Sequence, residues 1–174
     1  PNFHVFRPCD SVETAAAWYS AVTSRKTPTA LVLTRQNLEP VQGSSKEALK
    51  GGYVLADCQG TPEAILIATG SEVSLALKAK DVLEAEGRKI RVVSMPCMEL
   101  FEEQTREYQE SVLPKSVRKR VVVEAGSDFG WGSYTGLDGA CVTMNGFGAS
   151  GPASQLFEHF GFTVDHVVET VRSL

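Results

Sequence analysis

The chain has no CxxC pair. Its four cysteines, Cys9, Cys58, Cys97 and Cys141, are scattered. That spacing fits neither a zinc site nor a disulfide framework, and it suits a reducing, cytoplasmic setting. No apolar run approaches the roughly 20 residues that a membrane-spanning helix needs. The N-terminus has neither a basic leader nor a long apolar stretch, so it does not read as a signal peptide. Excess positive charge is missing too. Seventeen Lys and Arg stand against 21 Asp and Glu, a net charge of -4, so neither nucleic acid nor a membrane is an expected partner. The one basic run, "PKSVRKR" at residues 114–120, reads as a solvated loop, with an anion site as the lesser alternative. GxxxxGK[ST] and GxSxG are absent, which removes the usual signatures of nucleotide-phosphate and serine-nucleophile sites. His4, His159 and His166 share no metal-ligand spacing.

What is present is a regular alternation of apolar strands and amphipathic helices. Residues 2–6 favour a strand, which "RP" ends. Asp10 is a good N-cap with Glu13 three residues on, a capping box opening a helix. In that helix Ala15, Trp18, Tyr19 and Val22 fall at helical spacing. Residues 30–34 form the next strand, which gives one parallel βαβ unit. Residues 39–52, rich in Gly, Ser and mixed charge, read as a linker. The alternation then restarts. Strands are expected at residues 64–69, 90–95, 120–125 and 140–144, each followed by helical sequence. The first of these helices starts from Ser71 as cap, buries Leu75, Ala76, Ala79, Val82 and Leu83, and stops at Gly87. The last starts from Thr163. Continuous apolar strands separated by helices imply a mostly parallel, doubly wound α/β sheet covered on both faces. The 174 residues thus divide into 1–38, the end of a truncated α/β domain; 39–52, a linker; and 53–174, a small α/β domain. The opening without Met, directly on a strand, suggests a piece of a longer chain.

Open parallel sheets collect their sites outside the carboxyl ends of the strands. This draws attention to "LTRQN", where an apolar strand gives way to Arg35, Gln36 and Asn37. A guanidinium there offers a planar fork matched to phosphate or carboxylate; the plainer reading is a surface arginine paired locally. "ATGSEV" at residues 68–73 could cradle an anion at a helix start, but it has one glycine, and Glu72 would repel a phosphate, so a capped turn is preferred. Glu124, at a strand end, could serve acid/base chemistry, but it has no partner of readable spacing; helix capping or an interface fits better. The loop "GSDFGWGSY" at residues 126–134 suggests packing against another domain or subunit rather than a ligand platform.

Eight segments, "RPCD", "LTRQNL", "GGYVL", "IATGSEV", "RVVSMP", "SVLP", "VEAG" and "FGASGPA", stand in the order and spacing found in transketolases, and the resemblance runs over essentially the whole chain. It implies that residues 1–38 close the pyrimidine-binding domain and that 53–174 form the C-terminal domain. The parent would be a homodimeric enzyme dependent on thiamine diphosphate and Mg2+ or Ca2+. It would move a two-carbon ketol unit between sugar phosphates, in the pentose phosphate pathway or the Calvin cycle, and the compartment would be cytoplasmic or, in a photosynthetic eukaryote, plastid. The family's metal and diphosphate motif, its activating glutamate and its substrate histidines do not occur in these residues. The resemblance therefore places no catalytic, cofactor or metal residue here, and the isolated chain is expected to bind no cofactor and to be inactive. One functional residue carries over: Arg35 matches the arginine that binds the substrate phosphate, with Gln36 and Asn37 as candidates for fixing its rotamer. The alternatives are a regulatory or small-ligand-binding module, with its site near Gly70, Ser71 and Glu124; a purely architectural domain that stabilises the dimer; or a related thiamine enzyme such as deoxyxylulose-phosphate synthase or dihydroxyacetone synthase.

Overall fold

The computed structural model describes residues 2–174. The chain begins with β1 (His4–Phe6), α1 (Ser11–Thr23) and β2 (Thr29–Leu31). β1 and β2 pair in parallel, with His4 beside Thr29 and Phe6 beside Leu31. The expected βαβ unit is therefore present, but β2 is shorter than the apolar run suggested, and Val32 and Leu33 beyond it are about half exposed. The stripe read for α1 is also inverted. Ala16 and Ala17 are buried with Glu13, whereas Trp18, Tyr19 and Val22 are more than half exposed. The small residues allow close approach to the rest of the chain, and the large ones face outward.

Residues 39–52 are not featureless. They contain a 3-10 helix, Lys46–Lys50, capped by Ser45 and buried at Ala48. The main sheet follows, built from β3 (Tyr53–Ala56), β4 (Ala64–Ala68), β5 (Ile90–Ser94), β6 (Arg120–Glu124) and β7 (Ala140–Thr143), in the order β3-β5-β4-β6-β7. Four strands are parallel, and β3 runs antiparallel at the edge against β5. The sequence reading lacked β3 as a strand. At four residues with alternating burial it is too short to stand out by periodicity.

Side chains alternate across this sheet, as strand geometry requires. Leu66, Val92, Val121 and Val123 face α2 (Glu72–Ala85) and α7 (Val164–Ser173), where Val73, Ala76, Leu83, Val167 and Val171 close the first core. Ile65, Ile67, Val93 and Val122 face the other way, toward α3 (Met98–Glu102), α4 (Arg106–Val112) and the short α5 (Gly132–Thr135), packing with Phe101, Val112, Trp131 and Tyr134. Helices therefore cover both faces, and every residue of β4 is buried. Each large apolar side chain sealed in this way contributes about 1.5–3 kcal/mol. In α2, Val82 is exposed, against expectation, and its place in the buried stripe is taken by Val73 and the stem of Lys80. α6 (Ala153–His159) and α7 complete the chain, α7 being capped by Thr163, whose hydroxyl accepts from His166 N.

Candidate functional site

Arg35 lies in the bend that follows β2 and is exposed. The bend is stabilised locally: Thr34 Oγ1 donates to Gln36 O at 3.0 Å. Among the described residues neither Gln36 nor Asn37 hydrogen-bonds the guanidinium, and Arg35 has no ion-pair partner. Beside it is an open cleft of about 270 Å³, walled by Thr34, Gln36 and Asn37 on one side and by Asp10, Ser11 and Thr14 at the start of α1 on the other. Arg35 is not part of the cleft's wall, although its neighbours Thr34 and Gln36 are.

The start of α1 is the best-tied point of the first unit. Asp10 Oδ1 accepts from Val12 N and Glu13 N at 3.0 Å and from Ser44 Oγ at 2.9 Å, while Oδ2 accepts from Val41 N at 3.1 Å. One carboxylate thus caps a helix, where the dipole favours negative charge, and holds the linker against it. Glu13 completes a modified capping box. Its Oε2 accepts from Cys9 N at 2.7 Å, one residue earlier than the usual partner. Its Oε1 accepts from Tyr53 Oη at 2.8 Å and from Ser94 Oγ at 2.6 Å. Glu13 is fully buried, so a carboxylate from the first unit is solvated entirely by donors, two of them on β3 and β5. Burial, with the adjoining Glu13 charge, pushes the Tyr53 hydroxyl and the Cys9 thiol up from their ordinary values.

A second cluster sits at the carboxyl ends of β4 and β6. The sheet order places the topological switch point there, where open α/β sheets usually take ligands. Arg7, just past β1, reaches into it. Its Nη2 donates to Glu72 Oε2 at 3.2 Å, and its Nη1 pairs with Glu124 Oε1. Thr69 Oγ1 donates to Glu124 Oε2 at 2.9 Å, Ala125 N to Glu72 Oε2 at 3.0 Å, and Ser71 Oγ to Glu72 Oε1 at 2.5 Å. Ser71 therefore does not cap α2 with its side chain, which corrects the sequence reading; its hydroxyl is spent on Glu72. Of the two roles the sequence left to Glu124, helix capping or an interface, its contact is with Arg7 of the first unit. The Arg7 network was missed because "RP" reads as a strand stop, and nothing local shows that two distant carboxylates converge on it.

The remaining candidates settle into structural positions. Trp131 and Tyr134 of the 126–134 loop pack inside the second core, and Tyr134 Oη donates to Glu102 Oε1 at 2.6 Å. Phe129 is fully out of it, 91% exposed. Arg120, from the basic run, donates to the carbonyls of Leu113, Pro114, Val117 and Tyr134. His159 and His166 are exposed. Among the described residues no group of three or more His, Cys, Asp or Glu is placed to hold a metal ion, and no helix is long and apolar enough to cross a membrane.

Fold and junction together define a doubly wound α/β module joined to a parallel βαβ unit. The family model of the transketolase-like C-terminal domain matches residues 51–163, and that of the transketolase pyrimidine binding domain matches residues 1–40. The chain belongs to the transketolase family. Over its full length it is 52% identical to transketolase 2 of Vibrio parahaemolyticus and 51% identical to transketolase 1 of Pasteurella multocida, in each case covering 27% of the relative. It thus spans about a quarter of the length of these curated relatives. Among solved structures, transketolase from Leishmania mexicana superposes with a TM-score of 0.94 at 48% identity, over 100% of this chain and 25% of that one. A Pichia stipitis transketolase in complex with sedoheptulose 7-phosphate superposes at 0.91 and 47% identity, over 99% and 25%. A split-gene transketolase described as an inactive beta4 tetramer superposes at 0.76 and 26% identity, over 99% of this chain and 57% of its own.

Proposed function

We propose that this chain supplies the substrate-phosphate arginine and the C-terminal domain of a thiamine-dependent transketolase, which transfers a two-carbon ketol unit from a ketose phosphate to an aldose phosphate in the cytoplasm. In this reading residues 1–38 end the pyrimidine-binding domain, 39–52 link it, and 53–174 form the C-terminal domain. Thiamine diphosphate, when bound with its divalent metal, supplies the carbanion chemistry of ketol transfer. Among the described residues no group of three or more His, Cys, Asp or Glu is placed for a metal, and in this reading the cofactor and its metal would be held by other parts of a homodimeric enzyme. The likeness to an inactive split-gene chain supports expecting no activity from these residues alone.

The observation that carries the reading is the position of Arg35. Arg35 is exposed, has no ion-pair partner among the described residues, and sits in the bend beyond β2, where its neighbours Thr34 and Gln36 line an open cleft. There it can meet a phosphate with two parallel N–H donors. A charged contact remote from the reacting carbons contributes by orienting them. In a full-length enzyme carrying this segment, Arg35→Ala is expected to lower kcat/KM for phosphorylated substrates roughly thirty-fold, the equivalent of about 2 kcal/mol. Unphosphorylated ketoses should be nearly unaffected. Equal losses on both substrate classes would remove Arg35 from the phosphate site.

The alternative of a regulatory ligand module near Gly70, Ser71 and Glu124 is disfavoured, because Arg7 already fills that place.

A further inference from the structure

The switch-point crevice is chemically unusual. Such crevices generally present backbone N–H groups and a helix N-terminus to anionic ligands. Here the first residue of α2 is Glu72, fully buried, and the end of β6 is Glu124, 7% exposed at its side chain. The amide that faces the crevice from Ala125 and the hydroxyls of Thr69 and Ser71 are all consumed by those two carboxylates. What remains is negative charge on two sides of the crevice, from Glu72 and from Glu124. One carboxylate oxygen from each side receives one nitrogen of the Arg7 guanidinium. Such a geometry suits a fork of fixed N–H groups better than a single ammonium point.

We propose that this crevice is a guanidinium-binding site, occupied in cis by Arg7, and that once vacated it takes alkylguanidinium ligands and rejects phosphorylated ones. Two features make the site separable from its occupant. The Arg7 backbone is held independently of its side chain: its N–H donates to Pro96 O at 2.8 Å, and its carbonyl accepts from Gly70 N at 3.0 Å. The segment should therefore stay docked when the side chain is shortened. The Arg7 side chain is also 26% exposed, so a small molecule can enter where it leaves. A guanidinium is charged at every accessible pH, so the ligand keeps its charge across the working range. The inference concerns the second unit and stands whether or not Arg35 binds phosphate.

The test uses the 174-residue chain. Arg7→Ala keeps Cβ, and ethylguanidinium restores the atoms beyond it. At about ten times its dissociation constant, ethylguanidinium is expected to raise the thermal midpoint of Arg7→Ala by about 3 °C. Ethylammonium and inorganic pyrophosphate should leave it unchanged, and the unsubstituted chain should respond to none of the three. Adding Glu124→Gln to Arg7→Ala should abolish the ethylguanidinium shift. If Arg7→Ala folds poorly, its refolding yield should rise with ethylguanidinium and not with ethylammonium. The proposal is overturned by equal shifts with ethylguanidinium and ethylammonium, by an equal shift in the unsubstituted chain, by stabilisation with pyrophosphate, or by neither a shift nor a gain in yield.

Discussion

Glu13→Ala is expected to lower the unfolding free energy by about 4 kcal/mol. The change strips the acceptor from three buried donors at once: Cys9 N, Tyr53 Oη and Ser94 Oγ. Each buried donor left unsatisfied costs about 1–3 kcal/mol, and the three losses are less than additive because water can enter the vacated space. The Asp10 part of the cap is retained, since Val12 N and Glu13 N bond to Asp10 and not to the Glu13 side chain. Glu13→Gln preserves shape and one acceptor oxygen but turns an amide toward donors, so about half the loss is expected. Urea unfolding followed by circular dichroism gives both values. A loss under about 1 kcal/mol for Glu13→Ala, against the usual cost of even one orphaned group, would show that the two units are held together by other contacts.

Gly51→Ala is expected to cost about 3 kcal/mol or to prevent folding. Gly51 closes the 3-10 helix at φ +83°, a region that costs an L-residue about 1–2 kcal/mol. The larger penalty is steric: a Cβ there would fall 2.3 Å from both Cys97 O and Phe101 N. These are backbone atoms of α3 and its N-cap, and Cys97 N itself donates to Gly51 O at 2.9 Å, so neither side can retreat without breaking the contact. Overpacking of this kind adds about 1–3 kcal/mol. Gly60→Ala is the matched control. Its φ of +81° is nearly the same, but a Cβ would meet only Lys89 Nζ, at 3.8 Å, so the conformational cost alone should appear. Similar melting temperatures for the two variants would mean that the 3-10 helix is not wedged against α3.

The main sheet was largely legible in the sequence because its strands are sealed on both faces. β4, β5 and β6 carry runs of Ile, Leu and Val that no half-exposed strand needs. β3 escaped because an edge strand of four residues carries little pattern. The α1 face was misread for a different reason. Trp18, Tyr19 and Val22 have helical spacing, but so do Glu13, Ala16 and Ala17, and hydrophobicity alone favours the larger set. What decided the matter was a buried carboxylate with three donors, two of them about 40 and 80 residues away in sequence, and pairing at that range leaves no local trace. Arg7 is the same case. Arg35 was singled out by contrast with the apolar run before it, and it is exposed in the bend beyond β2.

The outward set on the first unit has a practical consequence. Phe3, Val12, Trp18, Tyr19, Val22, Val32 and Leu33 all stand between 42% and 65% exposed within one short βαβ unit. Oily surface on this scale adsorbs environment-sensitive fluorophores. The native chain should already light up such a dye at room temperature, and fluorimetric melts would then begin from a bright baseline and underreport unfolding. Calorimetry or ellipticity is the sounder gauge for every variant described above.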